Sequence, residues 1–222
     1  MVTRQRKDPA AKLSEENTRD RILNAAGQVF AEQGFEGATV RAITERAGVN
    51  VAAVNYHFRD KAELYNRVVV DACSARAASR EAIAEAIDSP EERLRSLIAH
   101  FLEYMLGPDR PAWKRQLMAR EMANPTTALD ELVEKNIRPF RDEFLLPTLR
   151  ELTDGRLSRR QLSYIGSSVM GQCLYFHQFR AIIERLNPDF TIGPAEIREI
   201  TDHITRFSLA AIAELTRQAR RS

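Results

Sequence analysis

The stretch TVRAITERAGVNVAAVNYHF, from Thr39 to Phe58, decides how the rest of the chain is interpreted. Thr39 can cap a helix because its hydroxyl accepts from the free amides of the first turn, and apolar residues follow at three- to four-residue spacing. Gly48 stands where a helix ends in a left-handed residue, and Asn50 can cap a second helix. Two short helices joined by a glycine-containing turn of three to four residues are typical of a helix-turn-helix, whose second helix enters the DNA major groove.

The second helix divides into a buried side and an open side. Val54 and Phe58 lie four residues apart and, with Val49, are predicted to face the core. Small apolar groups fit thymine methyls, asparagine pairs with adenine, and cations suit guanine or phosphate. An ordinary pair of helices in a bundle is the alternative, and it requires these features to coincide by accident. The positions predicted to contact DNA are Thr39, Arg41, Asn50, Val51, Ala52, Ala53, Asn55, Tyr56, His57 and Lys61.

This part of the chain resembles the N-terminal DNA-binding domain of the TetR-type transcriptional regulators. The family pattern is present as Glu32-Gln33-Gly34-Phe35, Ala47-Gly48-Val49, Tyr56-His57-Phe58 and Lys61-Ala62-Glu63-Leu64. Asn55 departs from the pattern because many members carry tyrosine there, so the contacts of that tyrosine do not transfer to this chain. The segment from Arg120 to Thr126, with the helices after it, is similar to the CecR-like subgroup, whose members are associated with transport and antibiotic sensitivity.

Length, charge and cysteine content agree with a helical regulator. A chain of 222 residues can bury a core without disulfides, and Cys73 and Cys173 are expected to be small buried thiols. The sequence lacks an apolar signal core and any run of roughly eighteen apolar residues, so we expect a cytoplasmic protein. The net charge of +2 does not by itself indicate nucleic-acid binding.

The predicted fold is all-α, in three sequence segments. Residues 1–13 form a basic flexible arm, 14–59 the helix-turn-helix domain, and 60–222 a larger helical ligand-binding and dimerisation domain. The arm either follows the DNA backbone or minor groove, or is a solvated leader. A first helix is predicted from near Ser14 to Gln33, where Gly34 stops it.

Proline residues punctuate the predicted C-terminal segment. One long helix is expected from Asp60 to the Ser89-Pro90 pair, and Pro139 and Pro147 are expected to kink or break the helical segment that contains them. No alternating strand pattern is present in the sequence.

The last two predicted helices, within 157–186 and 194–219, carry apolar residues at alternating three- and four-residue steps. Such seams suit helices that pack at shallow angles in a four-helix bundle. They can also complete the core of a single chain. The family resemblance implies a homodimer in which both chains contribute to the bundle, and helix-turn-helix dimers read palindromic half-sites about 34–36 Å apart or multiples of it.

The middle of the chain concentrates aromatic and methionine side chains. Such residues line adaptable apolar pockets, although they more often fill a core. Arg120 and the adjacent Glu121 are open to three interpretations: an internal ion pair, a polar handle for a ligand, or exposed charges. The predicted ligand-binding residues are Phe101, Tyr104, Met105, Trp113, Met118, Arg120, Met122, Phe140, Phe144, Tyr175 and Phe176.

No catalytic, metal or cofactor motif is found in the sequence. The four histidines lack a zinc-ligand spacing, and there is no phosphate-binding loop or nucleophile elbow. We therefore expect no enzymatic activity, no cofactor and no metal.

The resulting hypothesis is a homodimeric, sequence-specific regulator that binds a palindromic operator. In this family such a protein is most often a repressor, released by a small apolar or amphipathic ligand and controlling transport or drug-response genes. One alternative is a helical carrier or enzyme without DNA binding. Another is a DNA-binding activator without a ligand switch.

Overall fold

The protein was analysed as a computed structural model that describes residues 9–73, 89–108 and 110–221. Within these ranges every regular element is helical and no strand is present, so the predicted all-α fold is confirmed. None of the described helices has both the length and the apolar character needed to cross a membrane.

The elements follow one another along the chain with short connections. The first seven helices are α1 Pro9–Gly37, α2 Val40–Ala47, α3 Val51–His57, α4 Lys61–Cys73, α5 Pro90–Leu106, α6 Ala112–Ala123 and α7 Thr127–Leu132. The remaining elements are two π-helical segments, Val133–Ile137 and Phe140–Leu145, and the helices α8 Leu146–Leu152, α9 Arg159–Gln178, α10 Arg180–Leu186 and α11 Pro194–Ala219.

The ends of α1 and α4 differ from the sequence prediction. Helix α1 begins at Pro9 rather than near Ser14. Gly34 breaks α1 with a positive φ of 74°, as predicted, but one more turn follows to Gly37. Helix α4 is described as far as Cys73, and 74–88 lie outside the described residues, so the second half of the predicted long helix cannot be compared.

The region around Pro139 is helical but widened. The segments on both sides of Pro139 have π-helical hydrogen bonding, with i→i+5 spacing. Proline lacks a backbone N–H and therefore cannot donate to the regular helical ladder. Pro147 lies in the first turn of α8, where the missing donor costs nothing.

The chain divides into two compact units. The first unit is Met1–Ser74 with Pro111–Asn136, and the second unit is Ala75–Arg110 with Ile137–Ser222. Helices α6 and α7 therefore pack with the N-terminal helices rather than with the rest of the C-terminal sequence. This division differs from the predicted functional segments, which remain a prediction.

Each unit has its own apolar core. The core of the first unit is built around Phe30 of α1, Ile43 of α2 and Leu64 of α4, and it includes Leu117 of α6. The core of the second unit is built around Leu94 and Ile98 of α5, Leu149 of α8, Leu162 of α9 and Ile204 of α11. These side chains are almost fully inaccessible to solvent.

Candidate nucleic-acid interface

The turn between α2 and α3 has the predicted local geometry. The Thr39 hydroxyl accepts from the amide of Ala42 at 3.1 Å, and the Asn50 side chain accepts from the amide of Ala53 at 2.8 Å. Gly48 is left-handed, with φ 63° and ψ 41°, and closes α2. The two caps and the glycine thus fix where α2 ends and where α3 begins.

A distant arginine also holds this turn. Arg21 of α1 donates from Nη2 to the carbonyl oxygens of Ala47 and Gly48, at 2.6 and 3.1 Å. A cation at the carbonyl end of a helix stabilises its last turn. Sequence reasoning missed this role because Arg21 is 26 residues from Ala47 and no motif marks the contact.

Helix α3 is anchored by one side and presents the other to solvent. Val54 and Phe58 are buried, with 1% and 3% of their surfaces exposed. The predicted contact residues are mostly open: Val51, Ala52, Asn55 and Tyr56 are exposed, whereas Ala53 and His57 are half-buried. The Tyr56 side chain is 66% exposed although it is a large aromatic group.

The cations of α2 are held in ion pairs. Arg41 pairs with Glu45 at 2.8 Å, and both side chains are largely exposed. Such exposed pairs contribute little and exchange readily, so Arg41 can turn to a DNA base or phosphate. Arg46 binds both carboxylate oxygens of Glu32 on α1, at 2.7 and 2.9 Å.

Lys61 has a structural role that the sequence did not indicate. Its ammonium donates to the carbonyl oxygens of Phe35 and Ala38, at 2.9 and 3.1 Å, and lies 4.5 Å from the centre of the Phe35 ring. An ammonium has three N–H groups, so two bonds to the backbone do not exhaust its donors. The predicted phosphate contact by Lys61 remains a prediction.

The predicted ligand-binding residues are divided between the two units. In the first unit, Trp113 and Met118 pack on the core, Arg120 donates to backbone carbonyls of α1, and Met122 is 53% exposed. The second unit contains Phe101, Tyr104, Met105, Phe140, Phe144, Tyr175 and Phe176. Of these, Phe101, Met105, Phe140 and Phe176 pack against the same core.

The predicted dimerisation helices α9 and α11 bury part of their apolar seam within the chain. Leu162, Ile165 and Val169 of α9 and Ile200 and Ile204 of α11 belong to the core of the second unit. This agrees with the alternative in which the seam completes an intrachain core. Other large apolar side chains of the same helices remain outside that core.

An open groove of about 620 Å³ lies between α9 and α11. Its lining includes Tyr164, 58% exposed, and Phe207, 60% exposed. The Ser208 hydroxyl also lines the groove, is buried, and has no hydrogen-bond partner among the described residues. Beyond the groove, the exposed rings of Tyr175 and Phe179 stack at 5.2 Å. We refer to these residues of α9 and α11 as the α9–α11 face.

Two protein families match consecutive parts of the chain. Residues 22–68 match the bacterial regulatory proteins of the tetR family. Residues 90–212, more than half of the chain, match the C-terminal domain of the HTH-type transcriptional dual regulator CecR.

Individual relatives are also transcriptional regulators. The chain is 30% identical to the HTH-type transcriptional regulator UidR of Escherichia coli K12 over 135 residues, 60% of this chain and 65% of UidR. It is 36% identical to the HTH-type transcriptional repressor AcnR of Corynebacterium diphtheriae over 95 residues, 43% of this chain and 44% of AcnR. Both matches span less than two thirds of the relative's length.

A solved structure shares the fold at low sequence identity. The fatty acid degradation regulator FadR from Bacillus halodurans superimposes with a TM-score of 0.62 and 16% identity, covering 92% of this chain and 97% of FadR. The capped turn, the open side of α3 and the two family matches all agree. The chain therefore belongs to the TetR family of DNA-binding transcriptional regulators, which are not enzymes, and it carries a C-terminal domain of the CecR type.

Proposed function

We propose that the protein is a homodimeric, sequence-specific regulator that binds a palindromic operator in the cytoplasm and acts as a repressor. The observation that carries this proposal is the division of α3, in which Val54 and Phe58 hold the helix to the core while Asn55 and Tyr56 face solvent. A short helix held in this way can enter the major groove without unfolding.

The open side of α3 has the chemistry of base readout. The Asn55 amide can donate to and accept from the N6/N7 edge of adenine, and the small side chains of Val51 and Ala52 can contact thymine methyls. Thr39, Arg41 and the remaining predicted contact residues are suited to the phosphate backbone, which positions the protein but carries no sequence information.

In vitro selection from a random duplex pool tests this proposal. The wild-type chain should enrich a palindromic sequence, and Asn55→Ala should enrich a sequence relaxed at the same position in both half-sites, with a loss of roughly 1–3 kcal/mol on the wild-type sequence. Gln33→Ala, which removes an exposed polar side chain from α1, serves as the matched control and should enrich the wild-type sequence. Enrichment of no sequence by the wild-type chain would contradict the proposal.

Dimerisation through 157–186 and 194–219 is supported by the α9–α11 face. Tyr164 and Phe207 expose large aromatic surfaces beside a groove whose floor holds the buried hydroxyl of Ser208. Exposed apolar patches with polar rims are typical of interaction sites. A two-fold axis through this face would let Phe207 of each copy pack against the other copy, because such interfaces are self-complementary.

The proposed ligand site lies in the second unit. Phe101, Met105, Phe140 and Phe176 combine aromatic rings with an adaptable thioether beside one core, and the π-helical segment Phe140–Leu145 adjoins them in sequence. Such segments are frequent at functional sites. A small apolar or amphipathic ligand would release the operator to the extent that it binds the DNA-free state more tightly.

Titration of a preformed complex with operator tests the switch. A panel of amphipathic carboxylates, alcohols and quaternary amines is added, and the anisotropy of labelled operator is followed. Release by a compound that also raises the melting temperature of the free protein supports the ligand site. If DNA binding persists against every compound, the protein is a regulator without this switch. Genomic footprinting would then show whether transport or drug-response genes adjoin the bound sites.

A further inference from the structure

Arg120 of α6 is bonded to the broken end of α1. Its Nε donates to the Ala31 carbonyl at 2.7 Å and its Nη2 to the Glu32 carbonyl at 3.0 Å. Because α1 breaks at Gly34, the carbonyls of the preceding turn lack their regular helical partners. A guanidinium placed there satisfies two of them and lies at the negative end of the helix dipole.

Glu32 connects this end of α1 to the helix-turn-helix. Its carboxylate binds the guanidinium of Arg46 on α2 through two nearly parallel hydrogen bonds, at 2.7 and 2.9 Å. Bidentate pairs of this kind fix orientation as well as distance. Glu32 is thus held by α6 through its backbone and holds α2 through its side chain.

The neighbouring Glu121 of α6 holds α4 in a corresponding way. Its fully buried carboxylate accepts from the Tyr65 hydroxyl at 2.7 Å and from the Thr126 amide at 2.8 Å. The Tyr65 ring packs edge-on against Phe30 and Phe35, with ring centres 4.9 and 5.1 Å away. These two phenylalanines lie on either side of the break at Gly34 in sequence.

We propose that Arg120 and Glu121 are positioning residues for operator binding, because together they fix the broken end of α1 that holds α2 and α3. Neither residue belongs to the predicted DNA contact set. The inference rests on the proposed function, since it assigns these residues a role in specific DNA recognition.

The two residues act on the pose of α2 and α3 rather than on charge. Specific binding requires α3 to fit the major groove, so freedom gained by α2 and α3 weakens it by adding an ordering cost. Non-specific binding depends mainly on neutralised phosphates and is insensitive to that pose. The ratio of specific to non-specific affinity is therefore the quantity that positioning residues change.

The test compares Arg120→Gln with Lys114→Gln in the full-length chain. Both variants remove one positive charge from α6, but Lys114 contacts Asp71 of α4 at 3.3 Å instead of the end of α1. Fluorescence anisotropy measures binding to the duplex selected by the wild-type chain and to a scrambled duplex, well below the melting temperature. Arg120→Gln should weaken binding to the selected duplex about 10-fold and leave the scrambled duplex unchanged, whereas Lys114→Gln should change the ratio less than about 2-fold.

Two further variants separate positioning from stability. Arg120→Lys retains one cation for a single carbonyl, so its affinity should lie between those of the wild type and Arg120→Gln. Arg46→Gln interrupts the same link at α2, so Arg46→Gln and Arg120→Gln combined should lose less than the sum of the two single losses.

Three results would overturn the inference while leaving the proposed function intact. They are an equal loss on both duplexes, additive losses in the combined variant, and a lower melting temperature with unchanged affinity for the selected duplex. If the wild-type chain itself does not distinguish the two duplexes, the proposed function fails, and the inference fails with it.

Discussion

The two compact units leave very different surfaces open to solvent. Among the described residues of the first unit, the exposed large apolar side chains are Val51, Tyr56 and Met122, two of which lie on α3. In the second unit, exposed side chains of this kind include Tyr164, Tyr175, Phe179, Phe207 and Leu215 of α9, α11 and the turn after α9. The first unit is closed except at its reading helix, whereas the second unit has an apolar face that a partner would cover.

The difference also extends to polar groups. The first unit satisfies buried and helix-terminal groups through side chains that are distant in sequence, as Arg21, Arg120 and Glu121 show. The α9–α11 face instead contains a buried hydroxyl, that of Ser208, without a partner among the described residues. Internal bonding of this kind suits a rigid reading unit, and an unfinished face suits self-association.

The largest effect is expected from Glu121→Ala in the first unit. This change leaves the Tyr65 hydroxyl and the Thr126 amide buried without their acceptor, and each such group costs about 1–3 kcal/mol. Burial and the bond to Glu121 raise the pKa of Tyr65, so the phenol remains a donor at neutral pH. We expect a loss of roughly 3 kcal/mol in the free energy of unfolding.

Urea unfolding followed by tryptophan fluorescence measures this loss, because Trp113 is the single tryptophan and lies in the first unit. Glu103→Ala, which removes an exposed glutamate from α5, is the control and should change stability by less than about 0.5 kcal/mol. Equal unfolding midpoints for the two variants would show that the buried carboxylate does not stabilise the first unit.

The next effect is expected on the α9–α11 face. Phe207→Glu places a charge where the partner copy is proposed to pack, and loss of a central aromatic contact typically costs about 2 kcal/mol or more, roughly 30-fold in the dissociation constant. Ala210→Glu adds the same charge to an exposed position on another side of α11. Sedimentation equilibrium should show weaker dimers for Phe207→Glu alone, and similar dissociation constants for both variants would exclude this face as the interface.

A smaller effect tests the packing of α6 on α1. A methyl group added at Gly27 would lie 2.3 Å from the Trp113 ring, so Gly27→Ala should destabilise the chain by about 1–3 kcal/mol despite the better helix propensity of alanine. In a Trp113→Ala background the same substitution should stabilise by up to about 1 kcal/mol. Thermal unfolding followed by circular dichroism measures both changes, and the same sign in both backgrounds would contradict this account.

The smallest effect concerns the Glu32–Arg46 pair. The hydrogen bond from Arg46 lowers the pKa of Glu32, although the carboxylate is open to solvent. A lowered pKa means that the pair stabilises the fold above the ordinary pKa of 4.5, and that this contribution is lost as the pH falls through the lowered value. The difference in urea midpoint between wild type and Glu32→Gln should therefore be largest at neutral pH and vanish in acid. A difference that grows in acid would contradict the assignment, and Arg46→Gln should give the same profile.

Local features of the first unit could be predicted because each depends on neighbouring residues. The caps at Thr39 and Asn50 need only an oxygen and an amide three residues later, and the turn at Gly48 needs only a residue that tolerates positive φ. The buried positions of α3 follow from four-residue spacing. Nothing beyond the segment itself enters these predictions.

Long-range polar contacts could not be predicted in this way. Arg120 and Glu121 were open to three interpretations, and none included a bond from Arg120 to backbone carbonyls of α1, 88 or 89 residues earlier. An arginine that binds carbonyls leaves no periodic pattern in the sequence. Likewise, aromatic and methionine content does not tell which core a residue joins, and Trp113 and Phe101 pack in different units.

The seam of α9 and α11 shows the same limit. Three- and four-residue spacing identifies an apolar stripe but not its partner, and the structure gives Leu162 and Ile204 to the chain's own core. The neighbouring stripe through Tyr164 and Phe207 remains exposed. Only the burial of one stripe shows that the other is available for a second copy.

The account's central claim is that a closed reading unit and an open pairing face act together on a palindrome. Anisotropy titrations of wild type and Phe207→Glu against the selected palindrome, and against a duplex with one half-site scrambled, test it most directly. The wild type should bind the palindrome far more tightly than the single half-site, and Phe207→Glu should bind both duplexes with similar, weak affinity. A Phe207→Glu chain that keeps the full preference for the palindrome would contradict the claim.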